Sequence, residues 1–258
     1  QDMAFVISEL QPKMFLFENV RGLLNARWTQ TGTKGEIWQD VLTTFRKLKD
    51  YRIGWSLVFA KDYGVPQNRP RILMVGVRND LGIPLKSDSE DALEAGLLPP
   101  GEGNPPDLDD LLGDLIDDDF EYGARTTQYP SAPRTEVQKK LRLHTDDLTD
   151  HEYSKHSRRV IAKFKAMQKN RGRIPKRMRT KKFAQRLLPA KWDPQRGPTI
   201  TACSLADDYV HFLQARSLTV REWARLQMFP DRYKFAGKRT TGGLRRAGNP
   251  REGIFDRE

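Results

Sequence analysis

The sequence predicts an α/β protein: half of an open sheet, followed by a smaller mixed region. Three observations carry this. A strand–helix–strand alternation occupies residues 14–60, a third strand follows after a short connection, and the composition turns first acidic and then basic beyond residue 80. The opening Phe5-Val6-Ile7-Ser8-Glu9-Leu10 reads as mid-helix sequence, and the chain starts at Gln1, so further residues upstream are expected. Met14–Val20 is a short apolar run that ends on two polar side chains, consistent with a buried strand. Arg21-Gly22-Leu23-Leu24 then turns away. Residues 36–51 predict a helix. Ile37, Val41, Phe45 and Leu48 recur at a 3.6 period, with Arg46, Lys47 and Lys49 mostly off that stripe. Residues 55–60 read as a second strand, Gly64-Val65-Pro66 as a loop, and residues 71–78 as a third strand. Its short connection implies an antiparallel course.

Beyond this the chain changes character. Residues 80–121 hold fourteen acids and one Lys, interrupted by Gly96, Pro99, Pro100, Gly101, Gly103, Pro105 and Pro106. This predicts a mobile surface insertion. Residues 149–169 predict a helix with Val160, Ile161, Phe164 and Met167 at helical spacing, and residues 170–182 a basic loop. Residues 198–202 suggest a strand. Thr219 with Glu222 three positions on has capping-box spacing, opening a helix that runs to Met228 before Pro230. Residues 239–258 show no periodicity. The boundaries expected from composition are 1–84, 85–130, 131–247 and 248–258.

Charge narrows the function. Lys and Arg total 45 against 34 acids, a net +11, with a pI near 9.8. Residues 134–191 alone carry nineteen Lys or Arg against five acids. Such density favours a polyanion, since neutralised phosphates release counterions; a solvated basic surface is the alternative. No run approaches the ~18 apolar residues of a membrane span. A single cysteine excludes an internal disulfide framework and a multi-cysteine zinc site. A cytoplasmic home is expected, with no membrane partner.

Two short stretches carry chemistry. Glu18-Asn19 closes a strand, where α/β sheets bind ligands, and a Glu there can handle a proton in a dry pocket. It could equally cap the next turn. Arg69 and Arg71 share one strand face and could grip a phosphate or a carbonyl oxygen. They could equally form salt bridges on a solvated edge.

Together, Phe17-Glu18-Asn19-Val20 and Tyr63-Gly64-Val65-Pro66-Gln67-Asn68-Arg69-Pro70-Arg71 resemble the DNA cytosine-5 methyltransferase family. A third block agrees: Arg216-Ser217-Leu218-Thr219-Val220-Arg221-Glu222, then Ala224-Arg225-Leu226-Gln227 and Phe229-Pro230-Asp231. Pro198-Thr199-Ile200-Thr201 precedes it. The resemblance implies a partial Rossmann-like methyltransferase sheet in residues 1–84, an insertion in 85–130, a smaller target-recognition region in 131–247 and a truncated return segment in 248–258. It implies transfer of a methyl group from S-adenosylmethionine to carbon 5 of a flipped cytosine in double-stranded DNA, in a restriction–modification setting. Glu18 would engage ring nitrogen 3, Asn19 would position that carboxyl, Arg71 would hold the cytosine carbonyl oxygen, and Arg69 would assist. Gln67 would support the loop beside DNA. Arg173, Arg177 and Arg179 are candidate readers, and Thr199 and Arg216 join the expected DNA contacts.

Two family elements are absent from these 258 residues: the Phe-x-Gly-x-Gly cofactor loop and the Pro-Cys nucleophile. Cys203 follows Ala202 and suits a small buried role. Gly248-Asn249-Pro250 is followed by Arg251-Glu252, where the family continues with Val-Pro. The chain is therefore expected to hold half the pocket, with cofactor contacts mostly elsewhere, and to work with a second chain or a further part of its own. A DNA-binding remnant without chemistry is the alternative. An unrelated basic nucleic-acid binder would need three blocks to match in order by chance.

Overall fold

The structure is a computed structural model that describes residues 2–179, 185–195, 197–200 and 209–236. These form two compact units. The first comprises residues 1–63 and 69–103; the second comprises residues 64–68 and the described residues from Asn104 on.

In the first unit, helix α1 (Asp2–Leu10) leads into β1 (Met14–Val20). A 3-10 turn (Arg21–Asn25) leads to α2 (Glu36–Phe45), then come β2 (Tyr51–Phe59) and β3 (Pro70–Arg78). The sheet order is β1-β3-β2, and both outer strands run antiparallel to β3. The third strand thus runs antiparallel to its neighbour, as its short connection implied, and inserts between the two strands of the strand–helix–strand unit. Alternation in β1 sends Phe15 and Phe17 toward α2, where Trp38, Leu42 and Phe45 complete the core with Ile72 and Met74. Phe15 and Phe45 ring centroids lie 5.6 Å apart and those of Trp38 and Trp55 4.9 Å. Gly76 pairs with Phe15 in register, and a Cβ there would lie 2.1 Å from the Phe15 ring, so this position admits only glycine.

The helix predicted to run to residue 51 ends at Phe45. Tyr51 pairs with Arg78 at the start of β2, and its hydroxyl donates to the Pro12 carbonyl at 2.7 Å. Strand pairing outcompetes the last helical turn. The acidic stretch is also corrected, since its first part is packed against β2. Trp55 N–H donates to the Glu90 carbonyl at 2.9 Å, and Ala92 N–H returns to the Trp55 carbonyl at 3.1 Å. Ala92 and Ala95 are fully buried.

The rest of that stretch builds the core of the second unit. Leu108, Leu111, Leu112 and Leu115 are all fully buried, with Leu141, Leu148, Leu188, Trp223 and Leu226 around them. Their i, i+3, i+4, i+7 spacing is helical, and helix α3 (Leu108–Leu112) follows it. Helix α4 (Glu136–Leu141) opens on a capping box formed by Thr135 and Gln138. Helix α5 (Arg158–Lys169) starts from a Ser157 cap, nine residues later than predicted. Its expected first turns are irregular because His151 and Tyr153 point inward, both buried. Strands β4 (Arg186–Leu187) and β5 (Tyr209–Val210) form a short parallel pair. Helix α6 (Val220–Leu226) opens on the predicted capping box of Thr219 and Glu222. Residues 198–200 form no strand, and the rest of that predicted element, with Cys203 and residues 237–258, lies outside the described residues. Among the described residues, no helix is long and apolar enough to cross a membrane.

Candidate active site

The end of β1 and the start of β3 meet because the two strands are antiparallel. Val20 pairs with Arg71 and Glu18 with Leu73. A period of two puts Glu18, Val20, Arg71 and Leu73 on one face, with Glu18 diagonal to Arg71. Their side chains meet, with Arg71 Nε at 2.5 Å from Glu18 Oε1. The carboxylate is 52% exposed and the guanidinium 21%. Arg71 also donates from Nη1 to the Pro70 carbonyl at 2.8 Å, which fixes its stem. Burial lowers the pKa of Arg69, the charge of Arg71 lowers it further, and Glu18 raises it, so all three groups share one field. Asn19 is not part of this cluster. Its Oδ1 accepts the neighbouring Val20 N–H at 2.8 Å.

A half-exposed ion pair of this kind adds little to stability. It is therefore free to open toward a ligand. Opened, it offers a carboxyl and a bidentate cation side by side, the complement of a ring nitrogen next to a carbonyl oxygen.

The other predicted residues fall in the second unit, and several are placed differently from expectation. Gln67 is buried. Its Nε2 donates to the Leu226 carbonyl at 3.1 Å and its Oε1 accepts the Ile200 N–H at 3.2 Å. Asn68 N–H donates to the Pro198 carbonyl at 2.9 Å, and Thr199 Oγ1 donates to the Asn68 carbonyl at 2.7 Å. Gln67 and Thr199 thus tie residues 64–68 into this unit's core. Arg216 is not at the surface. It is fully buried, with two hydrogen bonds of 2.7 Å to Glu222, and it lies 4.9 Å from the Tyr153 ring. Its neighbours consume every direction in which it could reach DNA. Arg173, Arg177 and Arg179 are exposed on the loop after α5.

Sequence reading missed a buried polar network in this unit. Arg225 holds Asp231 through bonds of 3.0 and 2.6 Å and Asp114 on its other side. Arg221 pairs with Asp150 at 3.3 Å. Tyr129 donates to Asp231 at 2.8 Å, and burial, then that carboxylate, pushes its pKa well up. Burial opposes the charge on Glu222, yet Arg216 holds its carboxyl well below the ordinary range. His211 Nδ1 accepts the N–H groups of Leu213 and Gln214, each at 3.1 Å. The proton therefore sits on Nε2, 3.8 Å from Glu222. The only legible signal was the helical spacing of Arg221 and Arg225, which ordinarily marks an exposed face.

This network sets a pH dependence. Burial lowers His151 to about 4 and His211 to about 3, from an ordinary 6.5. Below 6.5 the unfolded chain takes up protons that the folded chain refuses. Stability is therefore full above pH 6.5 and falls as pH drops toward 4. Glu222 acts in the same sense lower down, its contribution being lost as pH falls below the ordinary 4.5. At pH 5 each neutral ring costs about 2 kcal/mol. Urea titrations should give a stability about 4 kcal/mol lower at pH 5 than at pH 8. Equal values would show that the rings are protonated in place.

Asp107, Asp109 and Asp110 bring oxygens within 4.8 Å of one another. Lys191 already pairs with the first two at 3.0 and 3.2 Å, which answers their charge without a metal.

The family model for C-5 cytosine-specific DNA methylases matches residues 1–250. The chain belongs to the C-5 cytosine-specific DNA methylase family. The Type II methyltransferase M.DdeI of Desulfomicrobium norvegicum is 29% identical over 93% of the chain and 58% of its own length. M.NgoPII of Neisseria gonorrhoeae is 28% identical over 96% of the chain and 63% of its own. The chain thus spans about three-fifths of these relatives. Among solved structures, a DNA modification methyltransferase encoded within an E. coli prophage superposes with a TM-score of 0.60. It covers 88% of this chain and 62% of its own, at 23% identity. The fold of this methylase chain is therefore that of a DNA methyltransferase: mixed α/β with a partial Rossmann-like sheet.

Proposed function

We propose that this chain supplies the base-binding and DNA-reading part of a DNA cytosine-5 methyltransferase of restriction–modification type. The observation that carries it is the Glu18–Arg71 pair, 2.5 Å apart on one face at the end of the sheet. A cytosine swung out of the duplex presents ring nitrogen 3 beside a carbonyl oxygen. Glu18 donates a proton or hydrogen bond to that nitrogen as a nucleophile adds to carbon 6, and Arg71 moves onto the carbonyl oxygen, where negative charge would otherwise build. Arg69 keeps the site cationic beside the phosphate. Flipping costs a few kcal/mol, which contacts in the pocket must return. Arg173, Arg177 and Arg179 face the duplex.

The nucleophile comes from elsewhere, because the sequence holds no Pro-Cys. Family membership implies S-adenosylmethionine as the methyl donor. We place its contacts mostly outside the described residues. A cavity of about 170 Å³ lined by Ser8, Gln11 and residues 47–51 lies at the opposite end of the sheet from Glu18. It is small beside the ~300 Å³ and upward of ligand pockets. On this reading the donor's contacts come from a second chain or a further part of this one. A second reading is a remnant that binds DNA without chemistry.

Mapping methylated bases in cells that express the chain together with a nucleophile-bearing segment separates the two. The expected result is 5-methylcytosine at one short site, lost with Arg71→Ala. Methyl groups on adenine, or on the exocyclic nitrogen of cytosine, would overturn the first reading. No methylation alongside retained duplex binding would favour the second.

A further inference from the structure

We propose that the outer face of α5 is a phosphate rail that holds one strand of the duplex without reading its sequence. This rests on the reading that the chain acts on DNA. Residues 153–179 contain no Asp or Glu, and Arg158, Lys165 and Lys169 are exposed. Among the described residues, none of these three has an ion-pair partner. At 100° per residue, they fall within about 20° of one line along α5. Their separations along that line are about 10 and 6 Å, close to three and two steps of the 3.4 Å phosphate repeat along a strand.

The helix is anchored by its other side. Phe164 and Met167 are buried, and with Val160 they pack in the cluster of Val210, Ala215, Ile174 and Leu187. That leaves no apolar face for a lipid surface, so an anionic backbone is the occupant the chemistry fits. The first turn strengthens the case. Arg158 and Arg159 sit at the positive end of the helix dipole, with no acid in that turn to offset them. A phosphate placed there relieves both repulsions. The backbone then turns sharply, with Arg171 at φ 51° and Gly172 at φ 86°. This carries Arg173 and Arg177 onward from the end of the rail, within reach of further phosphates or of base edges.

The test is the salt dependence of duplex binding by the full chain. The triple substitution R158A/K165A/K169A is compared with K34Q/K47Q/K49Q, which removes the same charge from exposed positions of the first unit. All six side chains are exposed, and melting curves check that both variants stay folded. The rail variant should lose at least 10-fold in affinity at low salt. Its slope of log K against log salt should flatten by about 2 to 3, at roughly 0.9 per phosphate. It should lose as much on random as on cognate duplex. The control should flatten by less than 1. Equal flattening in the two variants would overturn the rail while leaving the DNA reading intact, and so would a loss confined to cognate sites. Absence of duplex binding by the unsubstituted chain would overturn both.

Discussion

Glu18→Gln should lower methyl-transfer turnover at least 100-fold while duplex affinity stays within a few-fold. The amide keeps the size and shape of the carboxyl and cannot deliver a proton to the ring nitrogen. Losses of 10²–10⁴ are typical when such a group is removed. Binding is spared because the partner of Glu18 is Arg71, not a phosphate, and because a half-exposed ion pair holds little folding energy. The split between turnover and affinity is what distinguishes this role from a structural one. Single-turnover kinetics beside a direct binding isotherm would read it. Equal losses in both would make Glu18 a binding residue, and no loss in either would remove it from the site.

Arg225→Met should destabilise the second unit by about 3–5 kcal/mol. Arg225 is fully buried and satisfies Asp231, Asp114 and the Leu111 carbonyl together. Methionine fills most of the volume but leaves Asp114 with Arg142 alone at 3.4 Å, and Asp231 with Arg221 at 3.8 Å and the Tyr129 hydroxyl. Breaking one side of a buried pair costs far more than the intact pair contributes. Urea unfolding would show the midpoint fall sharply with an unchanged slope. Lys139→Ala, which opens the exposed pair with Glu136 at 2.7 Å, should leave the midpoint unmoved. A small loss for Arg225→Met would mean that Arg142, Arg221 and Tyr129 suffice for the two carboxylates.

The sheet was legible for a simple reason. The strands Met14–Val20 and Pro70–Arg78 are short apolar runs, and the short connection before the second gives its antiparallel course, though not its place between the other two. The capping box at Thr219 was equally plain, being a local hydrogen-bond exchange. Two features were hidden. The leucines from 108 to 115 were obscured by the surrounding acids, although their spacing was helical all along. The burial of Arg216, Arg221 and Arg225 could not be read at all, because residue type marks Arg as a surface group and only its partners, up to 114 positions away in sequence, make burial affordable. The candidate site falls between these cases. Glu18 and Arg71 stood out individually, with two readings of each open; strand register puts them on one face, where they form an ion pair. Gln67 belonged to the same motif and turned inward instead, a distinction that local sequence does not carry.

The central claim is that Glu18 and Arg71 hold the target cytosine for a nucleophile that Cys203 does not supply. The most direct measurement is covalent capture on a duplex carrying 5-fluorocytosine, whose fluorine blocks release after carbon 6 has been attacked. The chain would be supplied with the nucleophile-bearing segment and the methyl donor. The expected result is an adduct that forms fully with Cys203→Ser and is lost with Glu18→Gln. An adduct that requires Cys203, or one that forms as readily without the Glu18 carboxyl, would contradict it.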